Sequence, residues 1–180
     1  MRLTMLVAFA ALKIFAETDS LPIPDAKVVD QDGRPLHFYS DLVKGKTVAI
    51  QFIFTTCNAI CPGMAITFRS VQKKLKDQSP DAKDVVLISV TVDPEHDTPA
   101  ALRAFGEKHG RGPGWTLVTG GRPEIERILR RFGVLSQDKA AHTAMLTIGN
   151  DKTGVWTRSY GLAPSDSIVK VIAEVANRGK

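Results

Sequence analysis

Two apolar runs constrain the fold of this 180-residue chain more than any other feature. Val48–Thr56 reads Val-Ala-Ile-Gln-Phe-Ile-Phe-Thr-Thr, and Asp84–Val92 reads Asp-Val-Val-Leu-Ile-Ser-Val-Thr-Val. Runs of this length, rich in β-branched residues, suit strands buried on both faces. Between them the spacing predicts a helix over 62–77, with Met64, Phe68, Val71 and Leu75 on one face. Strands alternating with helices imply a sheet covered on both sides.

The flanking segments extend the pattern. Val28–Asp30 and Leu36–Phe38 surround Asp32-Gly33, a strong hairpin signal. Thr98-Pro99 pairs an N-cap residue with proline at the first helical position and opens a helix to about His109. A short strand at Trp115–Val118 precedes a helix over Glu124–Phe132, which Gly133 ends. Thr143–Ile148 and Val155–Tyr160 read as a hairpin, and Ser165–Asn177 as the closing helix. The expected fold is α/β and thioredoxin-like: a central mixed sheet flanked by helices, with an N-terminal β-hairpin extension. Residues 17–180 are expected to form one domain.

Met1-Arg2 and the uncharged stretch Leu3–Leu12 resemble a signal peptide, with Ile14-Phe15-Ala16 before a cleavage point. Lys13 interrupts the run well short of the ~20 apolar residues of a membrane-spanning helix. Residues 1–16 are therefore read as an export signal, with an uncleaved anchor as second choice. The expected location is the periplasm, or the outer face of the inner membrane if the segment stays. Export implies an oxidising compartment, where thiols need a reducing partner to remain free.

The formal charge is +5, from 24 basic and 19 acidic residues. Removing Arg2 and Lys13 with the leader leaves 22 against 19, or +3. No dense Lys/Arg run with interleaved aromatics occurs, so nucleic acid is not an expected partner.

The only two cysteines, Cys57 and Cys61, lie at the turn between the first apolar strand and its helix. A helix N-terminus stabilises thiolate there. A structural disulfide closing a five-residue loop would contribute only about 2 kcal/mol, less than half of what a long loop gives. The pair is therefore read as chemical: redox-active, or a site for a soft metal. At i and i+4, both sulfurs face one side if the loop coils into a helical turn, and such a pair suits Cu(I). A third ligand is then expected among the four histidines. His142, just before a strand, is the first candidate if that strand starts at the rim carrying the thiols. His96 is a weaker candidate, and His37 and His109 fall at a hairpin and a helix end.

Several motifs, taken in order, resemble the Sco/SenC family. They are Phe52-Ile-Phe-Thr-Thr-Cys57-Asn-Ala-Ile-Cys61-Pro62, Ser89-Val-Thr-Val-Asp93-Pro94-Glu-His-Asp97-Thr98-Pro99, Trp115-Thr-Leu-Val-Thr-Gly120, Phe132-Gly-Val134 and His142-Thr-Ala-Met-Leu. The likeness runs from about Pro22 to Ile172. It implies copper, as Cu(I) or Cu(II), held by Cys57, Cys61 and His142. It also implies a role in building the dinuclear copper centre of cytochrome c oxidase: copper delivery, reduction of the target's cysteines, or both. The implied partners are the copper-centre subunit of that oxidase or another cuproprotein, and a thiol-reducing protein. The chain departs from the family where Asp is usual, at Ala59 and Ala141. A carboxylate beside a metal-binding histidine orients its ring, so its loss is expected to weaken or retune the site.

The competing reading is a thiol–disulfide oxidoreductase, with Cys57 and Cys61 as the catalytic pair. Against it stand the Cys-x3-Cys spacing and the lack of proline between Gly133 and Thr147, where such reductases carry a cis-proline. The peroxiredoxin pattern Pro-x3-Thr-x2-Cys is absent. A structural zinc site wants four ligands, and only three are well placed. Asp93 is read either as a turn residue or as a neighbour of the cysteine loop. Asp97 and Thr98 are read as caps of the next helix. Met64 and Met145 are read as core residues.

Overall fold

A computed structural model describes residues 22–78, 85–138 and 144–178. The proposed leader, residues 1–16, and His142 with Ala141 lie outside the described residues.

The chain runs β1 (Lys27–Asp30), β2 (Pro35–His37), a π-helical turn (Phe38–Val43), β3 (Thr47–Ile53), α1 (Ile60–Gln78) and β4 (Val85–Thr91). It continues through α2 (Pro99–Lys108), β5 (Trp115–Thr119), α3 (Arg122–Arg131), β6 (Met145–Asn150), β7 (Val155–Tyr160) and α4 (Ser165–Asn177). The strands form one sheet in the order β2-β1-β5-β4-β3-β6-β7. β3, β4 and β5 are parallel, whereas β1 pairs antiparallel to β5 and β6 antiparallel to β3. The N-terminal hairpin thus extends the sheet at one edge, and β6–β7 extend it at the other.

Alternation along β3 divides the interior in two. Ala49 and Ile53 face a core built with Ala65, Phe68 and Val71 of α1 and Ile168, Ile172 and Val175 of α4. Val48, Ile50 and Phe52 face the other core, with Ile125, Ile128 and Leu129 of α3 and Phe38 and Val43 of the π-helical turn. Every residue of β3 is buried, as its composition predicts. Each such apolar side chain contributes roughly 1.5–3 kcal/mol through burial.

Three local features differ from the sequence reading. Phe38 leaves the second strand and opens the π-helical turn, because that turn sinks Phe38, Leu42 and Val43 together into the core. Helix α1 begins at Ile60, so Cys61 and Pro62 both lie in its first turn. Proline is tolerated there because first-turn N–H groups have no partner within the helix. Helix α3 begins at Arg122, with Gly121 at the N-cap position and proline in the opening turn.

The hairpin turn is held as its Asp-Gly pair predicts. Gly33 has φ +80°, a left-handed conformation that favours glycine. The buried Asp30 Oδ1 accepts the N–H groups of Asp32 at 2.8 Å and Arg34 at 2.9 Å. A polar network crosses the first core. Ser89 Oγ accepts from Gln51 Nε2 at 2.7 Å and from Trp115 Nε1 at 2.9 Å. A hydrogen-bonded pairing of this kind is what permits an indole N–H to be buried.

Candidate functional site

The site grows out of the end of β3. After Ile53 the chain turns, and the Cys57 N–H donates to the Phe54 carbonyl at 3.1 Å. Helix α1 starts three residues after Cys57. Its opening N–H groups would otherwise lack partners. The Cys61 side chain and the backbone N–H groups of Ala59, Ile60 and Cys61 favour the thiolate of Cys57. The start of α1 thus biases the Cys57 sulfur toward its anionic form.

The electrostatics follow from this arrangement. Burial pushes the Cys57 thiol up, but the Cys61 hydrogen bond and the three backbone N–H groups outweigh it, leaving Cys57 below the ordinary thiol value. Cys61 moves the other way, to about 12. Burial is the main cause, and the hydrogen bond to Cys57 adds to it. The Phe54 backbone opposes these, and the nearby Asp97 carboxylate reinforces them. Cys57 is 7% exposed and Cys61 is fully buried. Neither is in a disulfide. The pair consists of an outer sulfur biased toward thiolate and an inner thiol that keeps its proton. It can attack a disulfide, form one, or bind a soft cation.

The strand direction that His142 needed holds for its described neighbours. β6 runs antiparallel to β3 with Leu146 opposite Gln51, so β6 begins at the rim where β3 delivers the cysteines. The Ala144 carbonyl accepts from the Gly161 N–H at 2.7 Å. A Cβ on Gly161 would lie 2.9 Å from the Met64 methyl and 3.1 Å from the Ala144 carbonyl. The first turns of α1, the start of β6 and the end of β7 therefore meet at one corner. Met64 is wholly buried there, in keeping with a core role. An open cavity of about 270 Å³ lies at the same end of β6 and β7, lined by Ala144, Met145, Arg158, Ser159 and Tyr160.

Among the described residues no three metal-ligating side chains converge. The other histidines are engaged elsewhere. His96 is an exposed side chain with Nδ1 2.8 Å from Asp93 Oδ1. His37 lies 3.7 Å from an Asp25 carboxylate oxygen, and the His109 ring packs 4.5 Å from that of Phe105.

Thr98 caps α2 as read, its side chain accepting from the Ala101 N–H at 3.2 Å. Asp97 does not share that task. Its carboxylate accepts from the Thr55 N–H at 3.0 Å, from Thr55 Oγ1 at 2.6 Å and from Thr91 Oγ1 at 2.5 Å. The segment before the cysteines is thereby tied to the loop that follows β4. Asp93 is a turn residue: its carbonyl accepts from the N–H groups of His96 and Asp97. Sequence reasoning also missed the polar network beneath the site, although Gln51 within an otherwise apolar run was its visible sign.

The "SCO1 protein homolog" of Bacillus subtilis is 37% identical over 131 residues, covering 68% of this chain and 65% of that protein. Across such relatives the chain spans between half and two thirds of their length. Among solved structures, BsSco, described as a Sco-family cytochrome c oxidase assembly protein with a disulfide switch, superposes with a TM-score of 0.72. It is 28% identical, and the match covers 86% of this chain and 92% of that one. A copper-bound ScoI of Arabidopsis thaliana also superposes with a TM-score of 0.72 at 21% identity, over 87% of this chain and 99% of that one. That likeness shows the shared fold, which these Sco structures and the sheet order above identify as thioredoxin-like. The SCO1/SenC sequence profile matches residues 23–177, nearly the whole described domain with its two thiols at the head of α1, and the chain belongs to that family.

Proposed function

We propose that this chain is a copper carrier for assembly of the dinuclear copper centre of cytochrome c oxidase or a related cuproprotein. Cu(I) is its cargo, and Cys57, Cys61 and His142 are the ligands. The observation that carries this reading is the pair of unbridged, interacting thiols at the N-terminus of α1. Two thiols side by side form a soft donor set that favours Cu(I) over harder ions. Cys57 binds first, being the outer sulfur and the more readily deprotonated. Cys61 follows and releases its proton as it ligates. His142 supplies nitrogen from the segment leading into β6. A target cysteine then approaches from the Cys57 side and takes the ion by ligand exchange. Oxidation of the pair to a disulfide removes both sulfur ligands, so a thiol-reducing partner gates the cycle. Residues 1–16 act as the export signal, placing residues 17–180 in the periplasm or at the outer face of the inner membrane.

A second reading is reduction of a client's cysteines by the same pair. It is favoured by the opposite displacements of the two thiols, since an attacking and a resolving sulfur need different reactivity.

Anaerobic titration of the reduced chain with Cu(I) against a competing chelator tests the first reading. One ion should bind per chain. Cys57→Ser should lose more affinity than the ~10–100-fold that loss of a ligand's hydrogen-bond partner brings. Unchanged affinity in Cys57→Ser would move the chain to the second reading.

A further inference from the structure

Asp97 is a fully buried carboxylate that the copper cycle does not use. Burying a carboxylate is unfavourable unless its oxygens are hydrogen-bonded, and the donors to Asp97 come from two other segments. The Thr55 N–H and hydroxyl donate to Oδ1 at 3.0 and 2.6 Å, and the Thr91 hydroxyl donates to Oδ2 at 2.5 Å.

The placement of these partners is specific. Thr55 lies two residues before Cys57, inside the turn that the Cys57 N–H closes on Phe54. Thr91 ends β4, where it pairs with Ile53, the last residue of β3. The Asp97 backbone is itself anchored, its N–H donating to the Asp93 carbonyl at 2.9 Å. Cys61 lies in the first turn of α1, whereas Cys57 sits in the turn before it, and both enter the first core. Different elements therefore set the two halves of the thiol pair, and the Asp97 carboxylate fastens the Cys57 half to the sheet.

We propose that Asp97 is a positioning residue that holds Cys57 in register with Cys61 and so sets the equilibrium between their dithiol and disulfide forms. This rests on reading Cys57 and Cys61 as the functional pair. With glutathione disulfide as oxidant, the Cys57 thiolate attacks one sulfur and expels one glutathione thiolate. Cys61 then gives up its proton, attacks the Cys57 sulfur of the mixed disulfide and expels the second. Two electrons pass from the pair to glutathione disulfide, and two glutathione thiols result. The intramolecular step depends on how well Cys57 is presented to Cys61, and the Asp97 latch controls that presentation.

The test equilibrates the metal-free full chain with glutathione buffers and measures the oxidised fraction. Asp97→Ala should lower the equilibrium constant for disulfide formation about tenfold, raising the potential by about 30 mV. Asp97→Asn keeps a carbonyl oxygen for Thr55 and should stay within about threefold of the native chain. Thr55→Val removes one donor and should move the equilibrium in the direction of Asp97→Ala by about threefold. A folded Asp97→Ala chain with the native equilibrium would overturn the proposal, as would an Asp97→Asn chain displaced as far as Asp97→Ala. Should Asp97→Ala fail to fold, Thr55→Val decides, and an unmoved equilibrium there overturns the latch. No metal enters the measurement, so a failed latch leaves the copper reading standing, and a failed copper titration leaves the latch standing.

Discussion

Helices α1 and α2 begin at neighbouring corners of the sheet, after the parallel strands β3 and β4, and solve the same problem differently. Each must satisfy N–H groups that its own turns cannot. α2 uses the Thr98 hydroxyl, with proline as its first residue, in the standard manner of a helix start. α1 turns its N–H groups on a sulfur instead. Oxygen at this position gives stability and stays chemically inert. Sulfur accepts weaker hydrogen bonds, and what α1 gains is a thiol biased toward its reactive form. The carboxylate between the two helix starts, Asp97, caps neither one and serves the cysteine side.

The contrast is sharpest in Cys57→Ser and Thr98→Ala. Alkylation of the native chain by iodoacetamide should occur at Cys57, and Cys57→Ser should abolish it, a loss of more than ~100-fold given that the thiolate is the nucleophile. Serine offers the same N–H groups an oxygen, so the urea midpoint of that variant should move little. Gly161→Ala comes next. Its added Cβ would press on Met64 and the Ala144 carbonyl where α1 meets β6, lowering stability by about 1–3 kcal/mol. Urea unfolding would measure this, and the alkylation rate should change with it. Thr98→Ala should cost about 1 kcal/mol of stability and leave Cys57 alkylation untouched. An altered thiol in Thr98→Ala would break the division of labour between the two helix starts.

The finest test uses pH. Alkylation of Cys57 should rise through a midpoint below the ordinary thiol value, and Cys61→Ala should move that midpoint up by removing a hydrogen bond to the thiolate. Stability of the reduced chain has two opposing parts. Cys57 is lowered on folding, so its contribution is full above the unfolded thiol value and is lost as pH falls through its folded value. Cys61 is raised to about 12, so its contribution is full below the unfolded thiol value and is lost as pH rises from there toward about 12. Urea midpoints of the reduced chain should therefore fall above about pH 8.5, the unfolded thiol value. That fall should shrink in Cys61→Ala.

Periodicity made much of this legible. The composition of Val48–Thr56 marked a strand buried on both faces, and Phe68 and Val71 marked the face of α1 that packs on it. The thiol pair was legible because its spacing straddles a strand-to-helix turn. Helix α1 begins at Ile60, two residues before the start its spacing predicts, and Pro62 sits in its first turn. The π-helical turn at Phe38–Val43 carries no distinctive spacing and is decided by the core that Phe38, Leu42 and Val43 enter. Asp97 was read as a cap because local sequence displays the next helix and conceals Thr55, which lies 42 residues away in the chain.

X-ray absorption of the Cu(I)-loaded chain reads the copper ligands themselves. The native chain should show two sulfurs and one nitrogen around copper, and His142→Ala should lose the nitrogen while keeping both sulfurs. Copper bound without sulfur, or a nitrogen that persists in His142→Ala, would contradict the ligand set.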